Sequence, residues 1–141
     1  MTDVPVQRPD PPLSQTAAPF WEATRRRRLV LQHCMSCDHA IWFPRTLCPE
    51  CSGTELEWRE SSGLGAVYAV SVQYRAANAE MSERVPYAVV LVDLDDGVRV
   101  MSNVFGCEAE EVIVGMRVEP DWEPLADGRH LLVFRPAAPT T

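Results

Sequence analysis

Four of the five cysteines stand in two pairs of equal spacing, Cys34-x2-Cys37 and Cys48-x2-Cys51, with ten residues between the pairs. Two CxxC pairs can place four thiolates at the corners of a tetrahedron, the geometry that zinc prefers, with Zn–S distances of about 2.3 Å. Four thiolates leave no open coordination position, so we expect a structural rather than a catalytic metal ion. The spacer is expected to form a β-hairpin that brings the pairs together, so that metal binding and ribbon folding are one event.

Other interpretations of the cysteines are weaker. Iron also suits four thiolates, so the sequence leaves zinc or iron open. A redox dithiol needs one CxxC pair near a βαβ unit, and unrelated core cysteines would have no reason to repeat this spacing. His33 and His39 flank the first pair and could replace a ligand, although four cysteines suffice. The fifth cysteine, Cys107, has no His or Asp beside it, so we interpret it as a small core residue rather than a nucleophile.

Composition limits the classes of function. The chain has 141 residues, 46% of them hydrophobic and 23% charged, as in ordinary globular proteins. Its net charge of -7 disfavours general binding to phosphate backbones. No apolar run of about 18 residues predicts a membrane span, and no secretory signal is recognisable, so we expect a cytoplasmic protein with reduced thiols. No phosphate loop, nucleophile elbow or His-Glu metal motif occurs, so we expect a non-catalytic chain.

The elements that position the cysteines follow from local patterns. Pro19 suits the first turn of a helix, and the apolar residues after it could share one helical face. The chain is expected to divide into a flexible proline-rich tail (1–18), a helix with a lead-in strand (19–32), a zinc ribbon (33–60), a β-domain (61–136) and a second tail (137–141).

The β-domain is predicted by alternating apolar residues. Residues 87–94 (YAVVLVDL) are nearly all apolar, which predicts a strand covered on both faces. Five strands with a short helix between the third and fourth have the topology of an OB-fold. The predicted strands are 65–74, 87–94, 98–104, 117–123 and 131–134, and the short helix is 108–112. The sequence therefore predicts a mainly β protein, with an N-terminal helix, a four-cysteine zinc ribbon and then a five-stranded OB-fold barrel.

Several residues are candidates for binding a ligand or a partner. The densest positive charge is the run Arg25, Arg26, Arg27 and Arg28. These arginines could contact phosphates or an acidic partner, and the alternative is a solvated helix end. Trp42 lies on a ribbon too thin to bury it, so we expect it to pack on the helix or on a partner chain. Tyr74 and Arg75 end the first barrel strand and could line a ligand groove, or could be ordinary polar residues at a strand end.

A set of segments resembles a known family. The segments are FWEATRRRRLVLQHC, CMSCDHAIWFPRTLCPEC, GAVYAVSVQY, PYAVVLVDLDDGVRVMSNV, VGMRV and VFRPA. The Phe43-Pro44 step, the PY opening of the long strand, the DDG turn and the closing FRP make the match specific. From about residue 19 to residue 136, the chain resembles the DUF35 family, acyl-CoA-associated OB-fold proteins with a rubredoxin-like zinc ribbon.

The resemblance implies an accessory or scaffold subunit rather than an independent enzyme. Members of the family occur with thiolase-fold enzymes, with lipid-transfer-protein-like aldolases of sterol side-chain breakdown and with MaoC-like enoyl-CoA hydratases. They are thought to dock such a partner and to help hold an acyl-CoA thioester. The resemblance therefore implies a hetero-oligomer that shares an acyl-CoA substrate with its partner, in sterol side-chain or fatty acyl metabolism.

The alternative function is a nucleic-acid-binding module, because zinc ribbons and OB-folds both serve that role elsewhere. Single-strand binders combine a basic groove with stacking aromatic residues. The expected barrel, residues 65–135, has six arginines and no lysine against twelve acidic residues. Charge therefore favours the acyl-CoA-associated subunit, and we expect no nucleic-acid partner.

Overall fold

Two sheets, preceded by one helix, make up the architecture of this chain. A computed structural model describes residues 8–138. The elements are α1 (Ala18–Thr24), β1 (Leu29–Cys34), β2 (Ala40–Ile41), β3 (Leu56–Ser61), β4 (Gly65–Gln73), β5 (Tyr87–Leu94), β6 (Arg99–Val104), β7 (Arg117–Pro124) and β8 (His130–Pro136), with short 3-10 helices at Ala79–Met81 and Ala109–Glu111. Strands β2-β1-β3 form the ribbon sheet, and β4-β5-β6-β8-β7 form a closed barrel. The predicted fold class is therefore confirmed.

The barrel closes around a core of β-branched and aromatic side chains. Val92, Val100, Val118 and Phe134 are almost completely buried, and they come from four different strands. Strands β4, β5 and β6 pair antiparallel in sequence order, whereas β6 meets β8 in a parallel pairing at Val104 and Phe134. Closure removes the free strand edges through which an open sheet could aggregate.

The long apolar strand β5 is buried on one face only, which corrects the expectation of cover on both faces. Ala88, Val90 and Val92 point into the core, whereas Val89 and Leu91 are half-buried on the outside of the barrel. Leu91 pairs with Met101 of β6, whose side chain is 70% exposed. The middle of the outer face of β5 and β6 is therefore apolar and only partly covered.

Helix α1 is shorter than the sequence predicted. It ends at Thr24, whose hydroxyl donates to the carbonyl oxygen of Trp21 at 2.6 Å. Arg27 then takes a left-handed conformation with φ of 57°, which turns the chain into β1. The buried face of the helix includes Phe20 and Trp21, so tertiary packing fixes the helix while the arginine run after it forms the turn.

Residues 8–14, here called the N-terminal strap, lie against the barrel, in contrast to the flexible tail expected for 1–18. Asp10 accepts a hydrogen bond from the backbone N–H of Ala126 at 3.2 Å, and Pro11 accepts one from the Arg129 guanidinium at 2.7 Å. At the other end, the N–H of Ala137 donates to Arg117, so the second expected tail begins as a continuation of strand pairing. Residues 1–7 and 139–141 of the two expected tails lie outside the described residues.

Ribbon and barrel share one hydrophobic core, which includes residues of α1, β1 and all five barrel strands. At the joint between them, Ser61 donates to Asp96 at 2.6 Å. Gly63 has a positive φ of 73°, and a Cβ atom there would overlap the ring of Pro120. Only glycine fits this approach of ribbon to barrel. Within residues 8–138, no helix is long and apolar enough to cross a membrane.

Candidate metal centre and apolar groove

The four cysteines of the two CxxC pairs converge at one end of the ribbon. Their Sγ atoms all lie within 4.8 Å of one another. Cys34 and Cys51 are 3.5 Å apart, and Cys37 and Cys48 are 3.6 Å apart, measured between sulfur atoms. A tetrahedral site with Zn–S bonds of about 2.3 Å requires sulfur atoms about 3.8 Å apart, so this set fits a metal ion of that kind.

The two CxxC pairs adopt the same turn. The N–H of Asp38 donates to Cys34 O at 2.8 Å, and the N–H of Ser52 donates to Cys48 O at 2.9 Å. Asp38 and Ser52 follow the second cysteine of each pair, and both are left-handed, with φ of 63° and 64°. Each turn bends the chain so sharply that both sulfurs of a pair face the same point.

Backbone N–H groups surround the sulfur atoms. Ser36 N–H donates to Cys34 Sγ at 3.4 Å, and Glu50 N–H donates to Cys48 Sγ at 3.3 Å. The backbone N–H of Cys37 is the main cause that lowers the pKa of Cys34 to about 7, against the opposing effect of burial. At Cys34 the donors favour the thiolate form that a metal ion needs, whereas at Cys37 the effect of the His39 backbone N–H is outweighed by burial and the neighbouring sulfur atoms, which raise the pKa to about 12.

The second CxxC pair lies in a loop, which corrects the expected position of the hairpin. The hairpin is formed by β1 and β2 around the first pair, and the spacer between the pairs contributes only the two-residue strand β2. Ile41 of β2 is buried against Cys34 and Cys48, and Leu56 of β3 packs on the same cluster. Strand β3 was missed in the sequence, although Leu56 and Trp58 alternate there with charged residues.

The four arginines after α1 are all exposed, and the structure gives three of them side-chain contacts within the chain. Those contacts join Arg25 to the Asp127 carbonyl oxygen at 2.9 Å, Arg27 to His130 at 3.5 Å and Arg28 to Glu60 at 3.6 Å. Arg26 lies between them in the same turn. The run therefore lies at the C-terminal end of α1, exposed to solvent, where helix, ribbon and barrel meet.

The other candidate binding residues lie on separate elements. Trp42 packs edge-to-face on Phe20 of α1, with ring centroids 5.4 Å apart, which is the first of its two expected locations. Tyr74 is 64% exposed, and its hydroxyl donates to Glu110 at 3.2 Å. Partial burial and the Glu110 carboxylate raise the pKa of Tyr74. Arg75 beside it is also exposed, and neither residue lines the groove described next.

An apolar groove that the sequence did not reveal runs between the N-terminal strap and the outside of the barrel. Its larger part, of about 440 Å³, lies between the strap, the loop before β5 and strands β5, β6 and β8. An adjoining part of about 230 Å³ lies against α1 and the ribbon. The residues that line both parts are Pro11, Met101, Ser102, Leu131 and Leu132. The continuous apolar run of β5 was the available signal, because Tyr87 and Val89 form part of the wall.

Five of the six arginines in residues 65–135, all but Arg75, form ion pairs with acidic neighbours. The pairs are Arg84–Glu123 at 2.6 Å, Arg99–Asp93 at 2.6 Å, Arg117–Asp95 at 2.7 Å, Arg129–Asp127 at 2.7 Å and Arg135–Glu119 at 3.3 Å. A guanidinium bound to a carboxylate is a poor contact for a phosphate backbone, because the existing pair must first be broken. The geometry therefore lends no support to the nucleic-acid alternative.

Comparison with known proteins agrees with this architecture. Family models match two regions of the chain, namely the rubredoxin-like zinc ribbon domain of ChsH2 over residues 21–57 and the C-terminal OB-fold domain of ChsH2 over residues 58–123. A DUF35 domain-containing scaffold protein of Methanocaldococcus jannaschii is 33% identical over 102 residues, which cover 70% of this chain and 71% of that protein.

This chain spans less than half the length of another relative that it matches. A probable enoyl-CoA hydratase alpha subunit of Thermomonospora curvata is 34% identical over 132 residues, which cover 94% of this chain but only 41% of that protein. Among solved structures, a chain of the Ltp2-ChsH2(DUF35) aldolase superimposes with a TM-score of 0.81 and 32% identity, covering 92% of this chain and 100% of that one. With ribbon and barrel both matched, the chain belongs to the DUF35 family, in the ChsH2-like form that joins a rubredoxin-like zinc ribbon to an OB-fold.

Proposed function

We propose that this chain is a non-catalytic accessory subunit, which docks onto a thiolase-fold, aldolase or hydratase protein and assists it in handling an acyl-CoA thioester. The observation that carries the proposal is the match, over 92% of this chain and all of its counterpart, to a subunit of the Ltp2-ChsH2(DUF35) aldolase. The hydratase relative supports a role beside CoA-thioester chemistry. Sterol side-chain or fatty acyl metabolism is the proposed setting, in the reducing cytoplasm that keeps the thiols available.

The metal in this proposal is zinc, held by Cys34, Cys37, Cys48 and Cys51. Zinc has no geometric preference of its own beyond what four thiolates impose, and the sulfur separations suit it. Bound there, the ion would supply the folding free energy that a thin ribbon lacks. The chain's own residues prepare the site through the two matching turns and the N–H groups directed at sulfur.

The arginine run is the proposed contact for CoA phosphates or for an acidic face of the partner. The four side chains are exposed, and guanidinium groups bind phosphates and carboxylates in a bidentate manner. Trp42, Tyr74 and Arg75 are secondary candidates for partner contact, of which Tyr74 offers the most exposed aromatic surface.

The test is recovery of partners on the tagged chain from its native cell extract, with identification by mass spectrometry. We expect a thiolase-fold, aldolase or hydratase protein, retained after nuclease treatment. Recovery of ribosomal or RNA-processing proteins that nuclease removes would replace the proposal with the nucleic-acid function.

A variant with glutamine at the four arginines tests their role in the same experiment. We expect weaker recovery of the partner, or a weaker affinity for free CoA, with an unchanged circular dichroism spectrum. The matched control is Arg135→Gln, since Arg135 is also exposed and ion-paired but lies on β8. Equal recovery on the quadruple variant and the control would exclude the arginine run as the contact.

A further inference from the structure

The N-terminal strap lies across the face with which OB-folds bind linear ligands. That face is formed by the second and third barrel strands and is flanked by the loops that follow the first and fourth strands. In this barrel the strands are β5 and β6, and the loops are residues 74–86 and 125–129. The strap bonds to Ala126 and Arg129 of the second loop, and its Arg8 shares the Glu123 carboxylate with Arg84 of the first. The strap therefore occupies the position that a ligand strand takes on other OB-folds.

Polar contacts, rather than buried apolar surface, hold the strap in place. Arg8 bonds to Glu123 at 2.9 Å and to Asn103 at 2.5 Å, and its guanidinium lies 6.0 Å from the centre of the Phe105 ring. Within residues 8–14, only Arg8 and Pro11 are half-buried, and the others are exposed. A segment that buries so little apolar surface belongs to the least stable part of a fold, so it can open without unfolding the barrel.

The groove under the strap is suited to a hydrocarbon chain. Its walls near α1 and the ribbon are aromatic and aliphatic, with Phe20, Trp42 and Leu131 among them. Two of the polar side chains in the groove donate hydrogen bonds within the barrel, namely Ser102 to the Leu132 carbonyl oxygen at 2.7 Å and Asn103 to the Ala88 carbonyl oxygen at 2.9 Å. A polar ligand would break these bonds, whereas an apolar chain would bury surface without competing for them.

We infer that the strap is a removable cover over a binding groove for an extended apolar chain, and that lifting of the strap admits the chain. The inference rests on the proposed function, to which it adds where the apolar part of the ligand lies and what controls its entry. The two cavity parts meet at Met101, so one chain can pass from the ribbon aromatics to the loop before β5. Only molecules with an open strap bind the chain, so the apparent affinity is the intrinsic affinity multiplied by the fraction of molecules that are open.

The test uses the complete zinc-loaded chain and dansyl-labelled undecanoic acid, whose fluorescence rises on entering an apolar site. Arg8→Ala removes the strap's ion pair, and Asp10→Ala removes its hydrogen bond to Ala126, while both variants keep Pro11 as a wall of the groove. We expect each variant to tighten binding by about threefold, because each raises the open fraction. Circular dichroism and zinc content report whether each variant is folded, and either variant carries the test if the other is not.

A blocking variant locates the site. Met101→Trp should reduce probe binding at least about tenfold in the Arg8→Ala background, because the indole would fill the groove at the point its two parts share. The control is Ile113→Trp, a residue that is also exposed, at 62%, but outside the groove. Unchanged probe affinity in the strap variants, or equal effects of the two tryptophans, would overturn the inference. If the probe results are negative but the pull-down still recovers a partner enzyme, the groove inference fails and the proposed function stands. If the probe binds as expected but the pull-down recovers no such partner, the proposed function fails and the groove inference stands.

Discussion

Replacement of Arg129 by alanine should destabilise the fold more than removal of any exposed arginine. The Arg129 side chain is 2% exposed, its Nε donates to Asp127 at 2.7 Å, and its guanidinium stacks 4.7 Å from the ring centre of Trp21. Another guanidinium nitrogen donates to Pro11 of the strap at 2.7 Å. One residue thus connects the β7–β8 turn, helix α1 and the strap.

The expected loss in the free energy of unfolding follows from these contacts. Removal of one partner from a buried ion pair costs about 3–5 kcal/mol, and a buried cation–π contact adds about 1–2 kcal/mol. Two features lower the sum, because Asp127 keeps 33% exposure and can be solvated, and because the Nη1 atom of Arg129 is buried without a hydrogen-bond partner among the described residues. We therefore expect Arg129→Ala to lower the free energy of unfolding by about 3 kcal/mol.

Urea unfolding of the zinc-loaded protein, followed by tryptophan fluorescence, measures this loss. With a denaturant slope of about 2 kcal/mol per molar, the midpoint should fall by about 1.5 M. Arg117→Ala is the matched control, since its ion pair with Asp95 is half exposed and should contribute little. If the two variants unfold at the same urea concentration, the reasoning from burial is wrong.

Acid should reduce the difference in urea midpoint between the wild type and Arg129→Ala. Burial alone would raise the pKa of Asp127, but hydrogen bonds from the backbone N–H and the guanidinium of Arg129 hold it below its ordinary value of 3.8. A carboxylate with a lowered pKa in the folded state stabilises the fold above its unfolded pKa, and this contribution is lost as the pH falls through the folded pKa. The urea midpoints of the two proteins should therefore converge below about pH 3.8.

Two further changes test the metal centre and the joint. Cys48→Ser, or treatment of the wild type with a chelator, should unfold the ribbon, because the buried sulfurs lose the ion that holds them together. We expect the thermal midpoint, measured by circular dichroism, to fall by about 10 °C or more. An unchanged midpoint would show that the ribbon folds without metal. Gly63→Ala should lower the free energy of unfolding in urea by at least about 2 kcal/mol more than Gly97→Ala does. Both glycines have positive φ, but only at Gly63 would the added Cβ meet another residue, Pro120. Equal losses in the two variants would mean that the approach to Pro120 is not tight.

Local sequence patterns were sufficient to predict the four-cysteine site and the barrel strands, although ribbon strand β3 and the position of the ribbon hairpin were not predicted. The spacing of the cysteines encodes both turns, since each CxxC pair contains its own hydrogen bonds. Strands β4 to β8 were found because alternation of apolar residues records which face of a strand is buried. These signals come from neighbouring residues, so they could be recognised without knowledge of the fold.

The strap, the groove and the end of α1 could not be predicted, because they depend on residues distant in sequence. Arg8 and its partner Glu123 are 115 positions apart, and nothing near Arg8 marks it as an anchor. Proline content suggested a flexible tail, whereas the backbone carbonyl of Pro11 is held by a buried guanidinium. The groove has the same origin, since an exposed Met101 becomes a wall only once the strap crosses it.

The short strand β2 connects the two candidate sites mechanically. Ile41 packs among the cysteine sulfurs, and the next two residues, Trp42 and Phe43, form a wall of the groove. Loss of the ion would therefore reach the groove, because a ribbon that unfolds without metal no longer holds Trp42 and Phe43 in the groove wall.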